Sequence, residues 1–600
     1  MIKLSKDRIV SFKGNVIPLK LISERDLSAE PIKWSGDPDM VLIKEFGDRP
    51  LGFRDGVLIT LLEVGESLVT AELDGVCYTA QITAQEMMHS SSEDKFNYYI
   101  GDFHDHTCPI NGFDEFSKRT EGLPKDYIYQ VKDEGLLDFT AISDHSAALN
   151  VREFFENFIL AEEVKDSLVV FPGCECDVTV MEKGRYDIDI KRSGEIVCIN
   201  SDDYAECTSW DEFYGAVAKK PHPICIFAHP QIVGFSKKGV WDFAPEKNNT
   251  PEMLHAVKAV EMGDGSTRQS NLINEFIYSV ALDNGFKVTT TCSSDSHGPQ
   301  WGYHRFPGKT VIMAKERSRE AFFDAINNNR MYGTESGNLK LCYTVNGTAA
   351  PATLDEAKEY TFKADVSYFH EDESTRPTKC LLISDGGKIL AKAEGEDLSH
   401  VEFTVKSEDA SYFYLRFSDS EGRRTWSPPV FTGRAPKKSP DFPITPIDKA
   451  NLTARDEASG LDASLLLNDN PLDHWTSEKE RAEIVIDMKR TEEISALGMH
   501  PRLVWRELIS DWYGGTPPIL AEFPIEFEIY ASVDGTEYEM CECGIFRRFA
   551  TEEIIRFKER KARFVKLKIL SNARDFKGTH EFPDARIAIG ELTIYKRADA

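Results

Sequence analysis

The sequence predicts a multidomain protein in which one α/β region is flanked by all-β regions. Three observations carry that expectation. The chain has 600 residues, more than one hydrophobic core fills, since single cores stop growing near roughly 250–300 residues. A central stretch alternates apolar strands with amphipathic helical segments, and short turn-bounded strands lie on either side of it. The pattern divides the chain into a β domain over 1–97, an α/β region over 98–336, a β-sandwich over 337–434, a proline-rich linker over 435–450 and a second β-sandwich over 451–600.

The N-terminal assignment rests on β-type runs such as VLITLLEV (57–64) and SLVTAEL (67–73), separated by Gly and Asp turns. From Tyr98 the period changes. VREFFENFILAEEV (151–164), TRQSNLINEFIYSVAL (267–282) and SREAFFDAINN (318–328) place apolar residues three and four apart, the spacing of one helix face. Strands between such helices imply a parallel sheet or barrel. From Gly337 the strands return as LKLCYTVNG, YTFKADVSYF, CLLISDGG, VEFTVK and ASYFYLRFSD, which suggests a sandwich of immunoglobulin type. Pro436, Pro440, Pro443 and Pro446 then mark an extended, stiff linker. Beyond it EIVIDM, FEIYASVDG, FVKLKIL and IAIGELTIY predict a further antiparallel β domain.

A formal charge of -29 argues against general nucleic-acid binding, which needs Lys and Arg along the phosphate backbone. The opening residues MIKLSKDRIVSFKG lack the apolar run of a signal peptide, and no stretch approaches the roughly 18 apolar residues of a membrane helix. The expectation is a cytoplasmic protein without a membrane partner, or a secreted one if a leader has been removed. The 12 cysteines show no paired CxxC spacing. Several lie inside apolar runs, as Cys198 in EIVCIN and Cys225 in ICIFAHP, so buried free thiols are expected.

In the α/β region one apolar strand after another ends in a potential metal ligand. YYIGDFHDH supplies His104 and His106, FTAISDH supplies Asp144 and His145, and LVVFPGCE supplies Glu175. ICIFAHP supplies His229, AVEMG supplies Glu261, and VTTTCSSDSH supplies Asp295 and His297. The C-terminal ends of parallel barrel strands open on one face, where residues distant in sequence converge. An HxH pair can share one ion if the chain bends out of its pleat. Neutral imidazoles with bridging carboxylates suit zinc, manganese or iron, and a bound ion lowers the pKa of its water. A lone histidine at a strand end says little, but five of the chain's 14 histidines fall in these positions, beside several acids.

GDFHDHT, AISDHS, FPGCE, FAHP and SSDSH, in that order, resemble the PHP family, named for polymerase and histidinol phosphatase domains; the likeness runs from about Tyr98 to Thr334. The resemblance implies a distorted seven-stranded β/α barrel with one to three divalent ions that hydrolyses phosphate esters by attack of metal-bound hydroxide. It assigns His104, His106, Glu175 and Asp295 to one ion, lets Glu175 bridge to a second shared with His229, and turns His145 and His297 toward a third. The chain departs from the pattern twice. Asn111, in HTCPING, stands nearest to where members with a third ion carry an acid or histidine, and Glu195, in GEIVCIN, stands where another histidine is usual. Asp144 could orient or deprotonate the water, or hold a ligand histidine from behind. His304 and Arg305 could contact substrate phosphate or form a salt bridge at the rim. Glu261 is expected at the barrel mouth, as a substrate contact or behind the ligands.

The ordered segments LLLNDNPLDHWTSE, EIVIDM, FEIYASVDG, KARFVKLKIL and IAIGELTIY resemble the discoidin, or coagulation-factor type C, domain. That family is a jelly-roll sandwich that often binds carbohydrate and commonly holds a structural calcium. Asp469, Asp473 and Glu591 are the corresponding calcium candidates, with turn-forming Asx residues as the simpler account of the loop. PRLVWRELISDWYGG places Trp505, Trp512 and Tyr513 beside two arginines, a composition suited either to stacking on a sugar or to packing the insertion against its own domain. The functional expectation is a metal-dependent phosphoesterase acting on a phosphomonoester or phosphodiester, in a sugar-containing or glycan-linked substrate. The alternatives are a carbohydrate-active hydrolase or lyase of non-phosphate chemistry on the same barrel, and a non-catalytic glycan-binding protein.

Overall fold

Apolar runs punctuated by Gly, Asn and Asp dominate the sequence, and the chain folds accordingly, with 48% of the described residues in strands and 15% in helices. The structure is a computed structural model that describes residues 1–91, 94–107, 122–146, 149–183, 189–203, 209–220, 222–230, 240–241, 245, 248–263, 270–298, 301–302, 308–406, 410–436, 442–471, 473–502, 522–548, 552–572, 575 and 586–598. Contacts gather the chain into two compact units, Met1–Pro230 with Asn248–Ser266 and Lys287–Gly337, and Gln231–Lys247 with Thr267–Phe286 and Asn338–Ala600. Among the described residues no helix is long and apolar enough to cross a membrane.

The first unit begins with two four-stranded sheets, one of Lys3–Leu4, Val16–Ile22, Gly56–Leu61 and Val41–Lys44, the other of Arg8–Phe12, Val76–Gln85, Gly65–Leu73 and Lys33–Gly36. Their alternating apolar residues, among them Ile9, Leu19, Val57, Val69 and Ile82, share one core.

The region that carries the ligand candidates follows. Its strands are β1 (Asn97–Asp102), β2 (Phe139–Ile142), β3 (Val169–Lys183), β4 (Asp189–Ile199), β5 (Ile224–Ala228), β6 (Val257–Gly263), β7 (Thr289–Cys292), β8 (Lys309–Ala314) and β9 (Met331–Thr334). Between them lie α1 (Pro124–Glu134), α2 (Val151–Val164), α3 (Trp210–Ala218), α4 (Pro251–Ala256) and α5 (Arg319–Asn327). The start of α2 is written in the sequence as Asn150, whose side chain accepts from the Arg152 and Glu153 amides while Glu153 reaches back to the Asn150 amide. One face of α2 buries Phe154, Phe155, Phe158 and Ala161.

A purely parallel strand set is corrected by the pairing. β1 with β2, β2 with β3, β5 with β6 and β6 with β7 are parallel, but β3 with β4, β4 with β5, β1 with β8 and β8 with β9 are antiparallel. For β3 and β4 the reason lies in connection length: a parallel return needs a crossover of about a dozen residues or more, and the link from Lys183 to Asp189 is too short for one. β7 meets β8 and β9 largely through threonine hydroxyls. The Cys292 amide donates to Thr310 Oγ1 (3.1 Å) and the Gly333 amide to Thr290 Oγ1 (2.9 Å). Gly333 permits this approach, since a Cβ there would lie 2.7 Å from the Thr291 backbone. Beneath the strand ends Phe103, Phe139, Phe171 and Phe322 pack ring to ring, with centroids 4.9 Å apart for Phe103 and Phe139 and 5.4 Å for Phe139 and Phe322.

In the second unit, an antiparallel sheet built on Glu359–Tyr368 and a mixed sheet built on Tyr412–Asp419, which Thr353–Leu354 joins in parallel, form a sandwich in which Tyr360 and Phe362 pack on Phe413. The C-terminal domain is wholly antiparallel, around the long strands Ala482–Pro501 and Glu553–Ile569, with Ile484, Ile486, Val565, Leu567 and Leu592 in its core. Two features differ from the sequence expectation. The 435–450 segment is not a free linker throughout: Ile444–Pro446 pairs with Ala588–Arg597, and Ile447 is buried in the C-terminal core. Prolines are tolerated there because the segment is an edge strand, which can spare donors. The helix Ser270–Asp283, although its sequence lies within 98–336, belongs by its contacts to the second unit. Its buried Glu275 accepts from Arg416 (2.9 Å), and Arg416 also donates to Glu526 (2.8 Å).

Candidate metal centre

After β1 ends at Asp102, the chain leaves its pleat. Asp102 Oδ1 accepts the His104 amide (3.0 Å), Asp105 bridges to Ser296 and the His106 amide donates to the Ser296 carbonyl (2.9 Å). These bonds turn both histidines of the HxH pair inward, with their Nε2 atoms 3.1 Å apart. Two nitrogens each about 2.0–2.1 Å from one ion, at octahedral or tetrahedral angles, would be about 2.8–3.4 Å apart. The observed separation suits a shared cation.

Glu175, on β3, is the hub. Its Oε1 lies 3.1 Å from His104 Nε2 and 3.2 Å from His229 Nε2, and its Oε2 lies 3.1 Å from His145 Nδ1 and 3.4 Å from His106 Nε2. Asp295 closes the other side, with Oδ1 3.0 Å from His106 Nε2 and 3.6 Å from His104 Nε2. Glu195 Oε2 is 3.4 Å from His229 Nε2. The His297 ring stacks on His106 with centroids 4.2 Å apart, and its Nδ1–H donates to the Asp295 carbonyl (3.0 Å), which leaves Nε2 free. Four overlapping trios bring three ligand atoms within 4.8 Å of one another: His104, His106 and Glu175; His104, His229 and Asp295; His106, His145 and His297; and His145, Glu175 and Glu195.

The donor set fits divalent cations. Glu175 is buried, yet neither of its oxygens receives a hydrogen bond despite the four imidazoles around it. An ionised carboxylate held without donors in the interior is costly, and a coordinated cation offsets that cost. The electrostatics agree. Burial opposes a charged imidazole at His104, but Glu175, Glu261 and Asp295 outweigh it and hold its pKa well above the ordinary value. His229 is likewise raised against its burial by Glu175 and Glu195. At His106 burial dominates, with His297 and His145 adding to it, and the pKa falls to about 3. Burial disfavours charge on Glu175 and Asp295 too, yet neighbouring imidazoles hold both well below the usual carboxylate range.

Backbone strain marks two of these residues: His229 has φ 26° and Asp295 φ 45°, in the left-handed region, at a cost of about 1–3 kcal/mol each. Hydrogen bonds hold them there. The His229 amide donates to Glu261 Oε2 (2.7 Å) and the Asp295 amide to the His104 carbonyl (2.8 Å). Glu261 also faces His104 Nδ1, 3.3 Å from both carboxylate oxygens, which fixes the tautomer that turns Nε2 toward the centre. Asp144 points elsewhere: its two oxygens accept from the amide and hydroxyl of Thr107, so it pins the turn after His106, and burial raises its pKa to about 7.

The structure therefore brings together His104, His106, His145, Glu175, Glu195, His229, Asp295 and His297, with Glu261 behind them. Asn111, His304 and Arg305 lie outside the described residues. Sequence reasoning missed the buried support under the HxH turn. Ser294 Oγ is 2.6 Å from both Asp102 Oδ2 and Asp105 Oδ1, and Tyr127 donates to Asp105 Oδ2 (2.6 Å). A hydroxyl donates only once, so one of the two acids must keep its proton and donate to Ser294 Oγ. Burial raises the pKa of both, and the neighbouring Asp102 charge adds to the shift at Asp105. The signal available in advance was the repeated acid of GDFHDH.

In the C-terminal domain the calcium trio does not fit. Lys449 Nζ bonds Glu591 Oε1 and lies 3.0 Å from Asp469 Oδ1, so an ammonium group already occupies the space between the two acids. Asp473 instead accepts from Asn468 Nδ2 (3.4 Å), within its own turn. Trp505, Trp512 and Tyr513 lie outside the described residues.

Fold and site together define a multidomain, mostly β chain that carries a buried imidazole and carboxylate cluster with geometry suited to divalent ions. No protein-family model matches the chain, and no curated protein does. Among solved structures, the chain is similar to the family 32 carbohydrate-binding module of Clostridium perfringens NanJ in complex with galactose, at 15% identity over 26% of this chain and 100% of that one, with a TM-score of 0.20. It is also similar to the C-terminal domain of a chitobiase from Bacteroides fragilis, at 22% identity over 26% of this chain and 100% of that one, with a TM-score of 0.19. An F5/8 type C domain from Bacteroides fragilis matches at 12% identity over 26% of this chain and 98% of that one, with a TM-score of 0.20.

Proposed function

We propose that this protein is a metal-dependent phosphoesterase of PHP type, which hydrolyses a phosphomonoester or phosphodiester of a sugar-containing substrate. The observation that carries the reading is the sharing of Glu175, His104, His106 and His145 among overlapping ligand trios, an arrangement suited to adjacent cations rather than to one isolated ion. Bound there, divalent ions of the manganese, zinc or iron kind would supply Lewis acidity for phosphoryl oxygens and a coordinated water acidic enough to react near neutral pH. His104, His106, Glu175 and Asp295 would hold one cation, and Glu175 with His229 and Glu195 the next. His145 and His297 flank His106 on the remaining side. Glu261 orients His104, and Asp144 holds the turn that presents His106. The sugar-bearing nature of the substrate rests on the sequence resemblance of the C-terminal domain alone.

The test is metal analysis of the purified chain, then reconstitution with manganese or zinc and assay on 4-nitrophenyl phosphate and bis(4-nitrophenyl) phosphate. The expected result is metal-dependent release of nitrophenol that is lost in His104→Ala and Asp295→Ala together with the bound metal. Tight metal binding without cleavage of either ester would move the reading to non-phosphate chemistry. Unchanged metal content in both variants would remove the site assignment itself.

A further inference from the structure

Behind the proposed metal centre, on the opposite face of the sheet, lies a second cluster that the phosphoesterase reading does not use. Cys174 and Cys176 flank Glu175 on β3, and Cys198 on β4 sits directly across from Cys174 on one side and from Cys225 of β5 on the other. All four thiols are buried and free. Cys174 Sγ is 3.4 Å from Cys176 Sγ, and Cys225 Sγ is 3.9 Å from Cys198 Sγ.

We propose that Cys198 and Cys225 are a redox-modification site, a cross-strand thiol pair that peroxide converts into a disulfide. Residues directly opposite in an antiparallel ladder have Cα atoms about 4.5–5.5 Å apart, inside the roughly 4.4–6.8 Å range that a disulfide spans. Closing the sulfur gap to about 2.05 Å then needs side-chain rotation and no separation of the strands. Cys174 and Cys176 are a poorer pair despite their shorter contact. Two residues along one strand are about 6.6–6.8 Å apart, at the limit of that range, and bridging them would bend β3.

The chemistry assigns the order of events. The Cys225 thiol beside it holds the pKa of Cys198 below its ordinary value, burial opposes this, and the ammonium of Lys220 and the hydroxyl of Ser201 add to the lowering. Burial pushes the Cys225 thiol up. Cys198 is therefore the thiol that attacks. Its thiolate takes the distal oxygen of hydrogen peroxide, giving a sulfenic acid and, after protonation, one water. The Cys225 sulfur then displaces the sulfenic hydroxyl as a second water and forms the S–S bond. Two thiols lose two electrons and two protons, and one peroxide becomes two waters. Tyr214 of α3 lies beside Cys176, Cys198 and Cys225. The bond would pin β4 to β5, which present Glu195 and His229. That last consequence rests on the metal-centre reading, whereas the bond itself does not.

The experiment treats the full chain with hydrogen peroxide, alkylates the remaining thiols in denaturant and maps peptides by mass spectrometry without reduction. The exposed Cys77 and Cys342 report that the oxidant acted. The expected product is a peptide pair joined through Cys198 and Cys225, two mass units below the sum of the free peptides and released by dithiothreitol. In Cys225→Ala the link disappears and Cys198 becomes trappable by dimedone. The wild-type map alone decides the matter. If Cys198 and Cys225 are both alkylated while Cys77 and Cys342 are oxidised, or if Cys198 joins Cys174 instead, the proposal is overturned. Neither result bears on whether metal binds.

Discussion

Glu261 should control metal affinity without touching the metal, and its replacement tests the site architecture most directly. The carboxylate makes two kinds of contact: both oxygens lie 3.3 Å from His104 Nδ1, and Oε2 accepts the His229 amide at 2.7 Å. It therefore fixes the ring of one ligand and the strained backbone of another. Glu261→Gln keeps one carbonyl oxygen, enough to accept the His229 amide, but puts an NH2 group where the second oxygen faced His104 and removes the charge that orients the imidazole. Partners of this kind are typically worth 10–100-fold in metal affinity, or about 1.4–2.8 kcal/mol at 1.4 kcal/mol per decade. The glutamine variant, losing one of two contacts, should fall near tenfold. Glu261→Ala, which also frees the His229 backbone at φ 26°, should approach a hundredfold. Competition against a chromophoric chelator, with zinc or manganese and with circular dichroism to check folding, measures both. If a folded Glu261→Ala binds metal within twofold of wild type, the orienting role assigned to Glu261 is wrong.

Three further outcomes follow from charges elsewhere. Burial disfavours a charged Glu162, but Arg319 and Lys6 outweigh it and lower its pKa to about 2. A depressed carboxylate stabilises the fold above its unfolded pKa and loses that contribution as pH falls through the folded value. Wild type should therefore lose up to about 3 kcal/mol more than Glu162→Gln between pH 6 and pH 2, a ceiling set by about 1.4 kcal/mol per pKa unit, and urea titrations of the first unit at several pH values would show it. Arg416→Met should destabilise the second unit by about 1–3 kcal/mol, because it takes one cationic partner from each of the buried acids Glu275 and Glu526, which keep Arg424 and Lys379 respectively; adding Glu275→Gln should recover part of the loss in the same denaturation assay. Lys449→Met should lower the stability of the C-terminal domain by about 1–3 kcal/mol by leaving Glu591 without its partner, while millimolar calcium leaves the melting temperature of the wild-type domain unchanged.

The legibility of the ligand cluster in the sequence has a physical basis. A strand whose side chains are buried must be apolar, so a histidine or acid at its last position stands out, as His229 does after ICIFA and Asp295 does after TTTCSS. Strand direction was less visible, because the apolar pattern reads the same either way; connection length decides it at the short return after Lys183, whereas β8 and β9 are antiparallel with α5 between them. Helix Ser270–Asp283 shows the same limit from another side. Its apolar spacing reveals that it is a helix, but its partners are set by Glu275 and Asp283, which meet Arg416 and Arg547 from segments more than a hundred residues away. The Lys449 ammonium was hidden for a similar reason, since it lies outside the loop motif whose acids it joins.

Strain and burial connect these observations. A polar group is placed in the interior only where neighbouring chain holds it, and in this protein the holding groups are themselves polar and buried: Asp102, Asp105, Ser294 and Tyr127 under the HxH turn, and Glu261 behind His104 and His229. Those residues cannot be inferred from ligand spacing, because their task is to fix backbone that departs from a strand, and that departure appears only once the chain is folded. Glu175 differs from all of them. It is surrounded by imidazoles and receives no hydrogen bond; Glu261 holds the ring of His104 and the backbone of His229 beside it, and its two oxygens are left for a cation.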